Sequence, residues 1–330
     1  MSVTMRDTET RPPRDEAVTR PSSVESPAAP RAIALRTERL SAYYGVAQAV
    51  GDVDLTFEVG AVTAIIGLLL VATLVAVALL VTILGYVILR GLPAINVAFF
   101  TERPKPFGEV GGGVAPGLIG TLLLAAVSGA IAIPVGIAAA IFVVEYRSGR
   151  FAVPVRFAAE LIAGLPSIVI GVFVWALLVR GLVGHYAAIA GAVALAVIMV
   201  PIVARTVEEV LKLVPNSLRE AALALGAPRW KVILRIVLPT ARAGVLTASI
   251  LALARSAGET APLLLTALGN DFLSTDLLRP IGALPLAIYR YAISPYDDWH
   301  TKAWGASLVL VVVIGAVGML LRVVARQRVR

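Results

Sequence analysis

Two opposite charges, Arg255 and Glu259, lie inside a strongly apolar stretch of the sequence. A spacing of four residues places both on one face if this stretch is helical. A charge at the centre of a bilayer costs roughly 2.5–3.5 kcal/mol, so it is retained mainly where it faces a partner or a water-filled path. An arginine there offers paired donors that suit an oxyanion. With the neighbouring hydroxyl of Thr260, the pair is a candidate for an anion path.

A structural role is the alternative for the same pair, because an Arg–Glu contact can also hold two helices together. The sequence leaves both roles open. Gly258 permits a close backbone approach nearby, and Pro262 is expected to break the helix.

The second candidate is the charged segment from Glu220 to Pro239, which separates two apolar spans. Small apolar residues recur at helical spacing before its middle: Leu218, Ala221, Ala222 and Leu225. Asn216 and Ser217 are suited to cap the start of this helix. Gly226 is suited to end it in the left-handed conformation, and Pro228 can open another helix. We predict two short helices joined at an elbow.

The composition is that of an integral membrane protein. Of the 330 residues, 58% are hydrophobic and 15% are charged, against about 25% charged residues in average soluble domains. The absence of cysteine excludes disulfides, thiolate metal sites and cysteine nucleophiles. The two histidines, His185 and His300, are too few for a histidine metal cluster. The net charge of +8 is best explained by loops flanking membrane spans, so no nucleic-acid partner is expected.

Length and apolarity predict six membrane-spanning helices. They cover about residues 68–89, 117–144, 157–179, 186–204, 243–267 and 303–321. Pro134 and Pro166 imply kinks in the second and third spans. Lys and Arg are twice as frequent in the second and fourth inter-span loops and the C-terminal tail as on the other side. The positive-inside rule therefore places the Glu220 segment and both termini in the cytoplasm.

The first 67 residues differ from the rest. Residues 1–32 are rich in Pro, Arg, Ser and Glu and are expected to form a disordered tail rather than a signal peptide. Alternation over Val53–Val59 predicts a half-buried strand. The apolar run Ala61–Ile66 predicts a buried strand that ends at Gly67.

Seven residues of the Glu220 segment carry a resemblance to a known family. Glu220, Ala221 and Ala222, then Gly226, then Ile236, Leu238 and Pro239 stand at the spacing of the EAA loop. The segment resembles the cytoplasmic coupling helix of ABC importer permeases, at about residues 217–226. The resemblance implies that this helix sits in a groove of the ATPase subunit.

Residues about 68–330 also resemble phosphate-specific ABC importer permease subunits of the PstA type. The segments that carry this resemblance are Ala257–Asn270, Gly282–Tyr289, Ser294–Trp299, Gly111–Thr121 and Ala163–Gly171. The implied fold is the all-α, six-helix, MetI-like fold of type I importers. The implied partners are a second permease forming a heterodimer, two copies of the ATPase, and an extracytoplasmic phosphate-binding protein.

The resemblance implies a non-catalytic permease subunit of a phosphate importer in a bacterial or archaeal cytoplasmic membrane, in contact with lipid. ATP and magnesium would be held by the partner ATPase, so no cofactor is expected on this chain. Arg255, Glu259 and Thr260 would line the substrate path. Two alternatives remain: a permease of the same fold for sulfate, molybdate or phosphonate, and a membrane module that mainly signals phosphate status.

Residues about 33–67 resemble the start of the ATP-binding subunit of phosphate importers. That family continues into a loop of the form G-x-x-x-x-G-K-[ST]. With Gly67 as its first glycine, the Gly and Lys positions hold Ala72 and Thr73 instead. We expect an incomplete, non-functional fragment without a nucleotide site. A fusion remnant or a misplaced gene start explains it better than a working regulatory segment.

Overall fold

The computed structural model describes residues 33–44, 47–106, 109, 111–146 and 151–327. Side-chain surroundings are described from residue 66 to residue 319, apart from residue 317 and these gaps. The predicted disordered tail, residues 1–32, lies outside the described residues. Two strands are followed by helices: β1 Ile33–Tyr44, β2 Ala47–Glu58, α1 Val59–Gly91, α2 Val97–Thr101, α3 Ala115–Glu145, α4 Ala152–Gly164, α5 Ser167–Val174, α6 Ala188–Lys212, α7 Asn216–Ala224, α8 Arg229–Val232, α9 Leu238–Ser256, α10 Ala261–Thr266, α11 Leu284–Ala292 and α12 Asp297–Gln327.

The contacts divide the chain into two units, Met1–Leu79 and Leu80–Arg330. In the first unit, β1 and β2 form an antiparallel hairpin in which Ile33 pairs with Glu58. The strand predicted over Val53–Val59 is confirmed up to Glu58. The strand predicted over Ala61–Ile66 is wrong, because these residues are already helical in α1. A short apolar run cannot be distinguished from a helix segment by periodicity alone, and here it continues without a break into a long apolar helix.

Five described helices are long and apolar enough to cross a membrane, or six spans if the bent pair α4 and α5 is one. The five are Ile66–Ala94, Ala115–Glu145, Ala188–Lys212, Arg229–Ser256 and Asp297–Ala316. The third predicted span is the bent pair. Its two halves, Ala152–Gly164 and Ser167–Val183, meet at 105°. Pro166 therefore produces a break rather than the kink that we predicted, because Leu165 before it is extended.

The fifth predicted span has different boundaries in the structure. It starts at Arg229 and ends at Ser256, where we predicted about 243–267. A wide π-helical turn, Ile233–Val237, joins α8 to α9. Pro239 has no N–H, so the regular helical bond to the carbonyl of Arg235 cannot form there. The wide turn directly before the proline accommodates the missing bond, and the helix continues past Pro239 to Ser256.

The main core holds α3, α6 and α9 together with parts of the Glu220 segment. Small side chains allow the helices to approach closely, as membrane helices require. Buried core members include Ala132 and Ala140 of α3, Met199 and Val203 of α6, and Ala248 of α9. Ala222 of α7 and Val232 of α8 belong to the same cluster. The Glu220 segment is therefore packed on the helix bundle.

The two ends of α3 lie at opposite ends of the bundle. Near its start, the Thr121 hydroxyl accepts a hydrogen bond from the backbone N–H of Leu284, at 2.8 Å. Its last residue, Glu145, contacts Arg219 of α7. With 31 residues and a rise of 1.5 Å per residue, α3 is about 46 Å long. The α7 end and the α11 end are thus separated by roughly a membrane thickness.

Gly120 permits the closest of these contacts at the α11 end. A Cβ atom at this position would lie 1.8 Å from the carbonyl oxygen of Gly282. We predict that Gly120→Ala destabilises the protein by roughly 3 kcal/mol, because backbone cannot yield as a flexible side chain does. Thermal melting of the detergent-solubilised protein measures this. Gly85→Ala is the matched control, since a Cβ at Gly85 meets nothing within 4 Å. Equal melting temperatures for the two variants would contradict the packing described.

Candidate functional site

The Glu220 segment forms a helix and an elbow, as the sequence predicts. α7 covers Asn216–Ala224, and Gly226 has φ of +80°. The N–H of Gly226 donates to the carbonyl of Leu223, and that of Ala227 donates to the carbonyl of Ala222. These two bonds are the Schellman motif, in which left-handed glycine satisfies the last carbonyls of a helix. The ending predicted at Gly226 is confirmed.

The start of α7 differs from the prediction. Pro215 takes the capping position and no side chain caps the helix. The Asn216 side chain instead accepts a hydrogen bond from Arg219, at 3.3 Å. The second helix also differs: it opens after Pro228 as predicted, but it is not short, because α8 continues into α9 and reaches Ser256.

The structure separates the seven residues predicted to couple to the ATPase into a packed set and an exposed set. Ala222 is buried, and Ile236 and Leu238 pack against the same core from the wide turn and the start of α9. Glu220, Ala221, Gly226 and Pro239 are exposed. Glu220 makes no ion pair or side-chain hydrogen bond within the described ranges. Its carboxylate is thus available to another chain, as a docking residue requires.

Arg219 is a residue of this site that the sequence reasoning missed. Its Nε donates to Glu145 Oε1 at 3.0 Å, and both side chains are only 14% exposed. Its Nη atoms donate to the carbonyl of Val214 at 2.5 Å and to that of Leu211 at 2.9 Å. The Leu211 carbonyl lies in the last turn of α6, where carbonyls lack regular helical partners, and that of Val214 lies just after the helix. One guanidinium therefore ties α7 to the ends of both α3 and α6.

No local signal in the sequence identifies this contact. Arg219 and Glu145 are 74 residues apart, and we counted Arg219 only among the loop charges. A carboxylate at the last turn of a helix is disfavoured by the helix dipole. The position of Glu145 at the end of α3 was the one available sign that a cation lies nearby.

Arg255 lies in the last turn of α9, and Glu259 and Thr260 follow it in the short connection to α10. The predicted arrangement of Arg255 and Glu259 on one helical face is wrong, because α9 ends at Ser256. Backbone turns follow: Gly258 N–H donates to the Arg255 carbonyl at 3.3 Å, and Glu259 N–H to the Ser256 carbonyl at 3.1 Å. Pro262 then opens α10, as a proline in the first turn of a helix can.

The polar side chains of this connection have no partner in the part of the chain that is described. Arg255 is exposed, whereas Glu259 and Thr260 are half-buried. Neither the guanidinium nor the carboxylate makes an ion pair with the described residues, so the structural pairing that we kept as an alternative is not formed among them. A guanidinium free of protein acceptors presents its full set of donors to an anion or to another subunit.

Two of the segments that carry the PstA-type resemblance, Ala163–Gly171 and Ala257–Asn270, meet beside this connection. A Cβ atom at Gly171 of α5 would lie 2.8 Å from the Cα of Pro262, so α5 and α10 are in close contact. A Cβ at Gly191 of α6 would lie 3.1 Å from the Cβ of Ala267. The connection is therefore anchored on its α10 side by two other helices.

An ion pair closes the loop that follows α10. Arg290 of α11 contacts both carboxylate oxygens of Asp271, at 2.5 and 2.8 Å. Although burial disfavours its charged form, the Asp271 carboxylate raises the pKa of Arg290. Burial also raises the pKa of the Tyr291 phenol, to about 12. Arg290 therefore stays charged and Tyr291 stays neutral at neutral pH.

The described residues contain no group of three His, Asp or Glu side chains that could hold a metal ion.

Comparison with known proteins supports the resemblance to ABC importer permeases. Residues 132–330 match the family described as "Binding-protein-dependent transport system inner membrane component". A protein of Yersinia pestis named "Phosphate transport system permease protein PstA" is 43% identical over 250 residues, which are 76% of this chain and 84% of the relative. "Phosphate transport system permease protein PstA 1" of Mycobacterium tuberculosis is 38% identical over 266 residues, covering 78% of this chain and 85% of the relative.

Solved structures share the fold at lower identity. The MetNI methionine ABC transporter in an inward-facing conformation matches with a TM-score of 0.57 and 24% identity, over 65% of this chain and 95% of its own. A bacterial ABC transporter involved in alginate import matches with a TM-score of 0.56 and 16% identity, over 78% of this chain and 95% of its own. These likenesses confirm the MetI-like permease fold. The chain belongs to the family of binding-protein-dependent transport system inner membrane components.

Proposed function

We propose that this chain is the permease subunit of an ATP-driven importer of inorganic phosphate. The observation that carries the proposal is the identity of 43% with a phosphate transport system permease over 84% of that relative's length. The polar connection at Arg255 supports it, because a guanidinium with free donors suits a tetrahedral oxyanion.

The chain forms part of the translocation path and performs no catalysis itself. A partner ATPase, present in two copies, binds ATP and magnesium. A second permease completes the path, and an extracytoplasmic binding protein delivers phosphate. In this proposal residues 33–67 contribute no nucleotide site. The phosphate-cradling motif requires a loop after its first glycine, whereas residues 67–73 are helical.

The α7 end of the bundle faces the cytoplasm, together with both termini. The excess of Lys and Arg in the loops at this end supports that orientation. The ATPase then docks on the exposed surface of α7, where the Glu220 carboxylate has no partner among the described side chains.

The continuous helix from Arg229 to Ser256 links docking to the substrate. Its 28 residues span about 42 Å at 1.5 Å per residue. It starts at the elbow and carries Arg255 in its last turn. Closure of the ATPase dimer moves α7, and the tie through Arg219 passes that motion to the ends of α3 and α6. The long helix transmits it to the connection around Arg255, where the path opens to receive phosphate.

Transport in a reconstituted system tests the proposal. The complete importer in liposomes is expected to take up labelled phosphate when ATP and the binding protein are present. Excess unlabelled phosphate should compete, whereas sulfate, molybdate and phosphonate should not. Competition by one of these instead would assign that oxyanion to the same fold. Unchanged uptake without ATP would contradict an ATP-driven importer. Cells that lack this chain and lose phosphate signalling but keep phosphate uptake would favour a signalling module.

Glu220 is the residue whose substitution tests docking. We predict that Glu220→Lys lowers co-purification of the ATPase and phosphate-stimulated ATP hydrolysis about tenfold, because an exposed charge at an interface is reversed. The variant should fold normally, since Glu220 is exposed and has no ion pair or side-chain hydrogen bond to lose within the described chain. Glu209→Lys on α6 is a control at another glutamate. Wild-type co-purification and hydrolysis by Glu220→Lys would remove Glu220 from the docking surface.

A further inference from the structure

A cavity of about 400 Å³ lies between the Glu220 segment and the ends of α3 and α6. Besides Tyr146, its lining includes five charged or amide side chains: Glu145, Lys212, Asn216, Arg219 and Arg229. Three of these five side chains are cations and one is a carboxylate. The volume lies within the usual range of small-ligand sites, about 300–1,000 Å³. The cavity therefore combines a suitable size with an excess of positive charge.

Two of the three cations have partners inside the protein. Lys212 Nζ lies 2.6 Å from Glu208 Oε1, and Arg219 pairs with Glu145 at 3.0 Å. Arg229 is exposed and has no ion pair or side-chain hydrogen bond within the described ranges. It is the first residue of α8, where the helix dipole disfavours a cation. The folded chain thus gains nothing from the charge of Arg229 at a position that opposes it.

We propose that this cavity binds a phosphate group and that its occupancy slows transport. The group belongs either to free phosphate delivered by the importer or to the headgroup of an anionic lipid. Arg229 supplies charge-assisted hydrogen bonds from its guanidinium, which matches phosphate oxygens geometrically. This inference rests on the proposed function, because the proposed orientation exposes the cavity to the compartment that receives phosphate.

The effect on transport follows from the position of Arg219 in the cavity wall. A phosphate group beside this guanidinium competes with Glu145 for the same donors and repels the Glu145 carboxylate. The tie between α7 and the end of α3 weakens when the cavity is filled. Since that tie transmits the motion of the ATPase, phosphate accumulating on the cytoplasmic side reduces further import.

The test uses the complete importer in phosphatidylcholine vesicles, with the binding protein and labelled phosphate inside and the ATPases outside. The initial rate of ATP hydrolysis is measured against unlabelled phosphate outside, with chloride at matched ionic strength as the screening control. The wild-type rate should fall as phosphate rises. In Arg229→Gln the half-inhibitory concentration, relative to that variant's own phosphate-free rate, should rise about tenfold.

Arg235→Gln is the matched control, because Arg235 is also exposed, has no ion pair among the described residues and does not line the cavity. It should keep the wild-type dose response. A second arm adds phosphatidylglycerol in the absence of outside phosphate. Inhibition by free phosphate alone identifies the bound group as transported phosphate, and inhibition by the lipid alone identifies it as the lipid headgroup. In both cases the inhibition must depend on Arg229.

Two results would overturn the proposal. One is a wild-type rate that neither phosphate nor anionic lipid changes beyond the chloride control. The other is an Arg229→Gln variant that keeps the ATPase on purification and the wild-type dose response; loss of the ATPase in this variant would instead make the cavity an ATPase contact and would also overturn the proposal. Outward movement of labelled phosphate without added outside phosphate tests the proposed function separately: its absence rejects phosphate transport, whereas loss of the inhibition alone rejects only this site.

Discussion

Replacing Arg255 with alanine is expected to reduce phosphate uptake at least about 30-fold while the importer complex still assembles. Hydrogen bonds to charged groups contribute roughly 1.5–3 kcal/mol each, and a loss of about 2 kcal/mol corresponds to this factor. The side chain is exposed and unpaired within the described chain, so its removal leaves the fold of this subunit intact. The effect should therefore appear in transport and not in melting temperature or subunit composition.

Arg255→Lys separates the two properties of the side chain. Lysine keeps the charge but lacks the planar fork that binds an oxyanion through two donors, so we expect uptake between that of wild type and Arg255→Ala. Arg180→Ala is a control, since Arg180 is an exposed arginine outside the proposed path. Uptake within twofold of wild type in Arg255→Ala would remove Arg255 from the mechanism.

The second large effect is expected from Arg219→Ala, which should uncouple ATP hydrolysis from transport. The substitution removes the contact with Glu145 and the bonds to the carbonyls of Leu211 and Val214, which lie in and just after the last turn of α6. Hydrogen bonds to charged groups contribute roughly 1.5–3 kcal/mol each. A helix of nine residues is not stable by itself, so α7 should detach from the bundle. We expect phosphate transported per ATP hydrolysed to fall about tenfold.

Hydrogen exchange distinguishes this from a docking defect. In Arg219→Ala the amides of α7 should exchange faster, while those of α3 and α6 away from the contact keep their protection. Lys231→Ala is the control, because Lys231 lies in α8 and has no ion pair within the described residues. Glu145→Ala should produce a smaller effect, since the carbonyl contacts remain. Unchanged exchange in α7 of Arg219→Ala would contradict the tie.

The paired substitutions give a further check on the same contact. If Arg219 and Glu145 act through each other, Arg219→Ala combined with Glu145→Ala should lose less than the sum of the two single losses. Additive losses would mean that the carbonyl contacts of Arg219 carry the effect alone.

The parts of this protein that the sequence predicted correctly depend on local chemistry. The long apolar segments must be helical where they cross lipid, because backbone groups there must be paired within the segment. Gly226 ends α7 in the left-handed conformation because glycine adopts it without steric cost. The helix and elbow predicted for the Glu220 segment are present for the same reason, because both are determined by neighbours in sequence.

The tertiary structure alone decided which distant groups meet. The Arg219–Glu145 contact joins residues from two helices, and no periodicity encodes such a pairing. The same holds for the contact of Gly171 with Pro262, which anchors the connection carrying Arg255. Even a near-neighbour relation was misjudged: Arg255 and Glu259 would share a helical face, but the helix ends between them because Gly258 and Pro262 do not support its continuation. Local residues determined where the chain can turn, and packing of the bundle determined what each turn faces.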